Sequence, residues 1–207
     1  ACAPYRRLSL CNKNLVKMDT NNNDGKAKHD LLAEVCYAAK YEGESITQNH
    51  GKYQLSYPGS QICTMLARSF ADIGDIVRGR DLYRGNTKEK KKRDELETNL
   101  KTIFRDIYNE LTTTNGVKSR YNGDEDNNFF KLREDWWDAN RGKVWEALTC
   151  DAPDDSKYFR GTCGSNAKTA IQASHKCRCP NGKNADQVPT YFDYVPQYLR
   201  WFEEWAE

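Results

Sequence analysis

At 207 residues, the chain is polar for a globular protein, with 30% charged and 38% apolar residues, yet 12% of it is aromatic, including 5 Trp and 12 Tyr. Rings of that size bury much area each, which argues against disorder and for a thin core carrying long polar loops. No apolar run approaches 18 residues, so no segment reads as a membrane-spanning helix, and the formal net charge of only +2 conceals a strong local imbalance.

The chain opens on Ala1-Cys2-Ala3-Pro4, and its first thirty residues are turn-rich around Asn21-Asn22-Asn23-Asp24-Gly25, an exposed-loop signature. A cysteine almost at the first residue, and an end inside the amphipathic stretch 199–206, read as a piece of something longer. Leu31, Leu32, Val35 and Ala39 follow helical spacing as far as Gly43, and Tyr57-Pro58-Gly59 reads as a turn. Ile62, Leu66, Phe70, Ile73 and Val77 then recur at four, four, three and four, the signature of one helical face.

Gly79 and the charges after it end that helix. The next starts at Asn86, an N-cap residue with Glu89 three positions on to complete a capping box. Leu96, Leu100, Ile103, Ile107 and Leu111 continue it as an apolar stripe, which breaks between Thr112 and Asn128 at two Asn-Gly dipeptides and an acidic patch. Phe130, Trp137, Val144 and Leu148 make a fourth helix. Arg133 and Asn140 share that face and need partners, because a polar group buried unpaired costs about 1–3 kcal/mol. Arg68, Asp72 and Asp75 lie on one side of the helix at 62–77 and offer them. The expectation is a buried scaffold network of Arg68, Asp72, Asp75, Arg133 and Asn140, flanked by Trp136 and Trp137.

Residues 150–190 read as irregular, and Pro196 opens a last helix with Tyr198, Phe202 and Trp205 on one side. No stretch shows sustained two-residue alternation. The fold class is all-α, a helical bundle with long disulfide-stapled loops.

Eight cysteines, Cys2, Cys11, Cys36, Cys63, Cys150, Cys163, Cys177 and Cys179, form an even set suited to disulfides in an oxidising compartment. Eight allow 105 pairings, so spacing alone assigns none. A zinc site at Cys163, His175, Cys177 and Cys179 is the competing reading, but it lacks a Cys-x-x-Cys knuckle and leaves four cysteines unused. His29 and His50 sit in polar loops and read as solvated, there is no Gly-x-Ser-x-Gly, and no phosphate-cradling glycine motif occurs. Nothing calls for a catalytic residue, a metal or a cofactor.

Arg78, Arg80, Arg84, Lys88, Lys90, Lys91, Lys92 and Arg93 stand against Asp81 and Glu89, a balance of +6 within sixteen residues. A face of that kind suits an anionic partner such as a sulfated glycan. Nucleic acid is set aside, because a disulfide-rich chain belongs outside the cell.

Three stretches carry more than pattern: residues 67–83 (ARSFADIGDIVRGRDLY), residues 132–150 (LREDWWDANRGKVWEALTC) and residues 195–205 (VPQYLRWFEEW). With the opening CAPYRRL and VCYAAK at 35–40, they resemble the Duffy-binding-like domains of malaria parasites, in particular the alpha type of Plasmodium falciparum erythrocyte membrane protein 1. The resemblance covers essentially the whole chain. It implies a Duffy-binding-like fold of three subdomains: 1–50 as a loop-rich, partial first one, 51–165 as the helical-bundle second, and 166–207 as the start of a truncated third. It also implies downstream partners for Cys177 and Cys179. By the same resemblance the chain is part of a longer, membrane-anchored variant adhesin at the extracellular face of the infected red cell, without direct membrane insertion of its own. Its implied partners are a host cell-surface receptor or a sulfated or blood-group glycan, as in cytoadherence and rosetting, and host antibodies that drive antigenic variation. The alternatives are a red-cell invasion ligand of the same fold and a structural fragment with no receptor site.

Overall fold

The structure, a computed structural model, describes residues 2–20, 26–111, 116–126, 128–164, 168–180 and 188–206. Among them are helices α1 (Tyr5–Leu8), α2 (Lys13–Val16), α3 (Ala27–Ser56), α4 (Ile62–Arg78), α5 (Thr87–Glu110), α6 (Phe130–Leu148) and α7 (Gln197–Ala206). Two 3-10 turns, Lys118–Tyr121 and Phe192–Tyr194, and two short strands complete the order. The loop expected at 21–25 lies outside the described residues.

The core sits where α3, α4, α5 and α6 meet. All five residues of the α4 stripe are buried, as are Leu96, Leu100, Ile103 and Ile107 of α5. Aromatic rings fill the space that aliphatics leave. Phe70 lies 5.1 Å from the Trp137 ring and 5.2 Å from that of Trp145, while Phe104 meets Trp136 edge-on at 6.1 Å. Two glycines set how closely the helices approach. A Cβ at Gly43 would lie 1.9 Å from the Leu148 carbonyl oxygen, and one at Gly74 would lie 2.7 Å from the Trp137 ring.

Gly43 therefore does not end a helix. The third helix runs on to Ser56, 30 residues in all, or about 45 Å at the usual rise. Its last turns are exposed from Gly51 onward, so no apolar pattern marked them. The expected subdomain boundary at residue 50 falls inside this helix, and the one at 165 touches residues outside those described.

Helix ends follow local chemistry. The Asn86 side chain accepts hydrogen bonds from the backbone N–H groups of Lys88 and Glu89, and the Glu89 carboxylate accepts from the Asn86 N–H, which closes the capping box. Gly79 closes α4 in the left-handed region at φ 74°. Asp124 belonged, by sequence, to a solvated acidic patch, but it is buried. Its carboxylate accepts from the N–H groups of Lys131 and Leu132, so it caps α6 from a preceding loop. Phe130, expected in the core, is 41% exposed, and Leu132 and Trp136 are buried instead.

Beyond α6 the chain holds a two-stranded antiparallel sheet, β1 (Gly161–Cys163) with β2 (Ile171–Gln172), too short to show as alternation in sequence. Disulfides Cys63–Cys177 and Cys163–Cys179 tie this region to α4 and to itself. The expectation that Cys177 and Cys179 find their partners downstream is thus corrected. The segment folds back over the bundle, where Trp145 Nε1 donates to the Cys177 carbonyl at 3.1 Å, and this brings Cys177 to Cys63. Cys2, Cys11, Cys36 and Cys150 carry free thiols.

Candidate functional site

Charged side chains divide into a buried set and an exposed set, a division that the sequence shows only in part. Within the buried set, Asp72 accepts from Arg200 at 2.8 Å, Gln197 at 3.1 Å and Trp201 Nε1 at 3.3 Å, and pairs with Arg6 at 2.8 Å. Asp75 pairs with Arg200 at 2.5 Å and Arg78 at 3.0 Å. Burial alone would raise the Asp72 pKa, but Arg6 and Arg200 outweigh it and hold the carboxyl below its ordinary value. At Asp75 burial wins, and the carboxyl is pushed up to about 6 against the pull of Arg200 and Arg78.

The network expected between α4 and α6 is therefore corrected. The α4 carboxylates face α1 and α7, because Asp72 and Asp75 lie roughly half a turn from the stripe of Leu66, Phe70 and Val77. Arg133, fully buried, instead makes a two-pronged pair with Glu97 of α5 at 2.8 and 3.0 Å and donates to the Val77 carbonyl. Asn140 donates to the Trp136 carbonyl one turn back in its own helix and to no α4 side chain among the described residues. Arg68 and Trp136 are buried, and Trp137 Nε1 donates to Asp193 at 2.9 Å. Asp193, which also receives Arg141 at 2.7 and 2.8 Å, lies in the 3-10 turn Phe192–Tyr194, too short for any periodicity to point to it.

Arg78 belongs to this buried set. It is 1% exposed, and its guanidinium is engaged by the Gly74 carbonyl, Asp75 and the Asp193 carbonyl, so it leaves the group of candidate ligand-binding cations. Arg80, Arg84, Lys88, Lys90, Lys91 and Lys92 are exposed, and Arg93 is half-buried with one donor on the Asp81 carbonyl. Arg80 pairs with Glu134 at 2.7 Å. Arg84 and Lys88, Lys90, Lys91 and Lys92 form no ion pair with a described residue. The capping box holds this run at the first turns of α5, where successive residues turn by about 100°. The lysines therefore surround the helix end and do not form one flat face.

Lys92 and Arg93 edge a cleft of about 710 Å³ between the α1–α2 segment and α5. Its walls also carry Lys13 and Lys17, which the reading of charge runs missed because two lysines four apart make no run.

Three of the four zinc candidates, Cys163, Cys177 and Cys179, are consumed by disulfides. Three of the free thiols, Cys11, Cys36 and Cys150, are poor nucleophiles. Burial, followed by the Glu42 carboxylate, pushes Cys11 up to about 11, and burial also raises Cys36 and Cys150. His50, expected in solvent, is buried beside Ser60 Oγ at 3.4 Å, and burial lowers its pKa.

The Duffy binding domain model matches residues 1–200. The chain is 45% identical, at a TM-score of 0.76, to the solved NTS-DBL1(α1) domain of Plasmodium falciparum membrane protein 1 (PfEMP1) from the varO strain, covering 100% of this chain and 43% of that one. It is 33% identical, TM-score 0.70, to an ICAM-1-binding PfEMP1 DBLβ domain, covering 98% and 41%. A PfEMP1 DBLβ domain bound to human ICAM-1 is 30% identical, TM-score 0.67, over 98% and 39%. The chain thus spans less than half the length of each of these relatives, and no curated protein matches it. Matched along nearly its whole length, and folded as its relatives are, the chain belongs to the Duffy-binding domain family and is of the kind found in the PfEMP1 adhesins.

Proposed function

We propose that this chain is part of a variant adhesin displayed on the malaria-infected red cell, where it contributes to attachment to a host cell-surface receptor or a sulfated or blood-group glycan. The observation that carries the glycan reading is the crown of exposed cations at the start of α5. Arg84, Lys88, Lys90, Lys91 and Lys92 face solvent and no described carboxylate pairs with them, so their field is open to an anionic partner. A protein receptor is the second reading, favoured by the likeness to DBLβ domains whose partner is ICAM-1. Exposed segments between the helices, such as residues 57–59 and 84–86, are surface that host antibodies would meet.

The test is binding to immobilised heparin as salt is raised, which shortens the Debye length from about 10 Å at 0.1 M to about 3 Å at 1 M. Binding should weaken steeply with salt and on charge reversal at Lys90, Lys91 and Lys92 together. Binding that ignores both would overturn the glycan reading.

A further inference from the structure

We infer that the cleft between α2 and α5 is a two-walled groove for a sulfated glycan chain, with Lys13 and Lys17 facing Lys92 across it. This rests on the glycan reading above and adds to it a place, a depth and two residues outside the basic run.

Charge bookkeeping inside the cleft carries the argument. Its lining holds five cations, Arg7, Lys13, Lys17, Lys92 and Arg93, and three carboxylates, Asp81, Glu89 and Glu97, a formal balance of +2. Asp81 and Glu97 are each paired with an arginine, while Glu89 is held by neutral donors, keeps its charge and draws on Lys92, so the unpaired remainder is three lysines against one carboxylate. Asp81 receives Arg7 and Gln197, Glu97 receives both prongs of Arg133, and Glu89 receives the Tyr83 hydroxyl and the Asn86 N–H. Arg7 is consumed by Asp81, and Arg93 has one donor on the Asp81 carbonyl. What is left over is cationic on balance: Lys13, Lys17 and Lys92 are exposed and form no ion pair with a described residue.

The two walls are held at fixed separation. Asn99 of α5 donates to the Val16 carbonyl at the end of α2 at 2.8 Å, and Leu15 of α2 is buried in the core. Lys13 and Lys17 lie four residues apart and so project from one side of that helix, toward the cleft they line. Between the walls the lining is apolar, with Leu8 exposed, the edges of Leu10, Ile76 and Leu96, and the Tyr83 ring. A sulfated sugar chain matches this pattern. Its sulfates project to both sides of the chain and meet the lysines, while the C–H faces of its rings lie on the apolar lining and the aromatic ring. An isolated crown of lysines on α5 would attract any polyanion, whereas two opposed walls select one by width and charge spacing.

The experiment is surface-plasmon binding of size-defined heparin oligosaccharides to four forms of the chain: wild type, K13E/K17E, K90E/K91E, and K52E/K143E. Lys52 and Lys143 are exposed and lie outside the cleft, so the last form makes the same change in net charge elsewhere. Circular dichroism melts establish that each form folds. The expected result is at least about a tenfold weakening for K13E/K17E, equivalent to about 1.4 kcal/mol, and a clearly smaller effect for K52E/K143E. If K13E/K17E binds as wild type while K90E/K91E is weakened, the groove is wrong and the glycan reading stands. If neither is weakened, both fail. Equal loss in K13E/K17E and K52E/K143E, or polyglutamate competing as well as heparin, also overturns the groove, since either outcome means unselective charge attraction.

Discussion

Asp72 and Arg200 stand 128 positions apart in sequence and 2.8 Å apart in the fold, both almost fully buried, and their pair joins α7 to the centre of the bundle. Removing one partner of such a pair leaves an uncompensated charge out of water, typically at a cost of about 3–5 kcal/mol. Arg200→Met should therefore lower the unfolding free energy, measured by urea titration, by an amount in that range. Arg200→Met combined with Asp72→Asn should lose less than the sum of the two single changes, because each charge then departs with its partner.

Asp75 gives that junction a pH dependence. Its folded-state pKa is raised to about 6 from an ordinary value near 3.8, so between those limits the folded protein binds a proton that the unfolded chain releases. Its contribution to stability is complete below about pH 4 and is lost as pH rises through about 6. Asp72, held below its ordinary value by Arg6 and Arg200, acts with the opposite sign: its contribution is present at neutral pH and is lost in strong acid. Subtracting the stability curve of Asp75→Asn from that of the wild type, by urea unfolding between pH 4 and 7, should isolate a component that falls as pH rises. A flat difference would mean that Asp75 is ionised throughout.

These residues also show where the sequence could be read and where it could not. The stripes of α4 and α5 are periodic, and all their residues but Leu111, just past the end of α5, are buried, so helix type and inward face followed from spacing. The capping box at Asn86 and Glu89 is a local pattern and was equally visible. Partnership is not local. That Asp72 and Asp75 would be buried was legible, but not that Arg6 and Arg200 would reach them, since sequence distance carries no information about which charge folds back. Arg78 illustrates the same limit at the candidate site. It reads as the first residue of a basic run, yet it is the last residue of a buried helix and points into the core. Lys13 and Lys17 belong to no run, and only the packing of α2 against α5 brings them opposite Lys92.

The two glycines of α3 should respond to the same substitution with opposite signs. Glycine within a helix is less favourable than alanine by about 0.8–1 kcal/mol. Gly51 has open space where a Cβ would go, so Gly51→Ala should raise the melting temperature. At Gly43 the added carbon would meet the Leu148 carbonyl oxygen at 1.9 Å, and backbone cannot yield as a flexible side chain can. Gly43→Ala should force α3 from α6 and destabilise by about 1–3 kcal/mol or more, as overpacking does. Thermal melts of the two variants, each against wild type, check the pair.

The two disulfides should differ in worth because they close loops of different length. Cys63–Cys177 spans 114 positions and Cys163–Cys179 spans 16. In the chain-entropy view a loop of about 100 residues is worth about 4.7 kcal/mol and one of about 15 residues about 3 kcal/mol. Cys63→Ala/Cys177→Ala should therefore lower stability more than Cys163→Ala/Cys179→Ala, as measured by guanidinium unfolding under non-reducing conditions. The longer bridge fastens the irregular 150–180 segment to α4, so its loss should also expose the amides around Trp145 to hydrogen exchange, while loss of the shorter one should leave them protected.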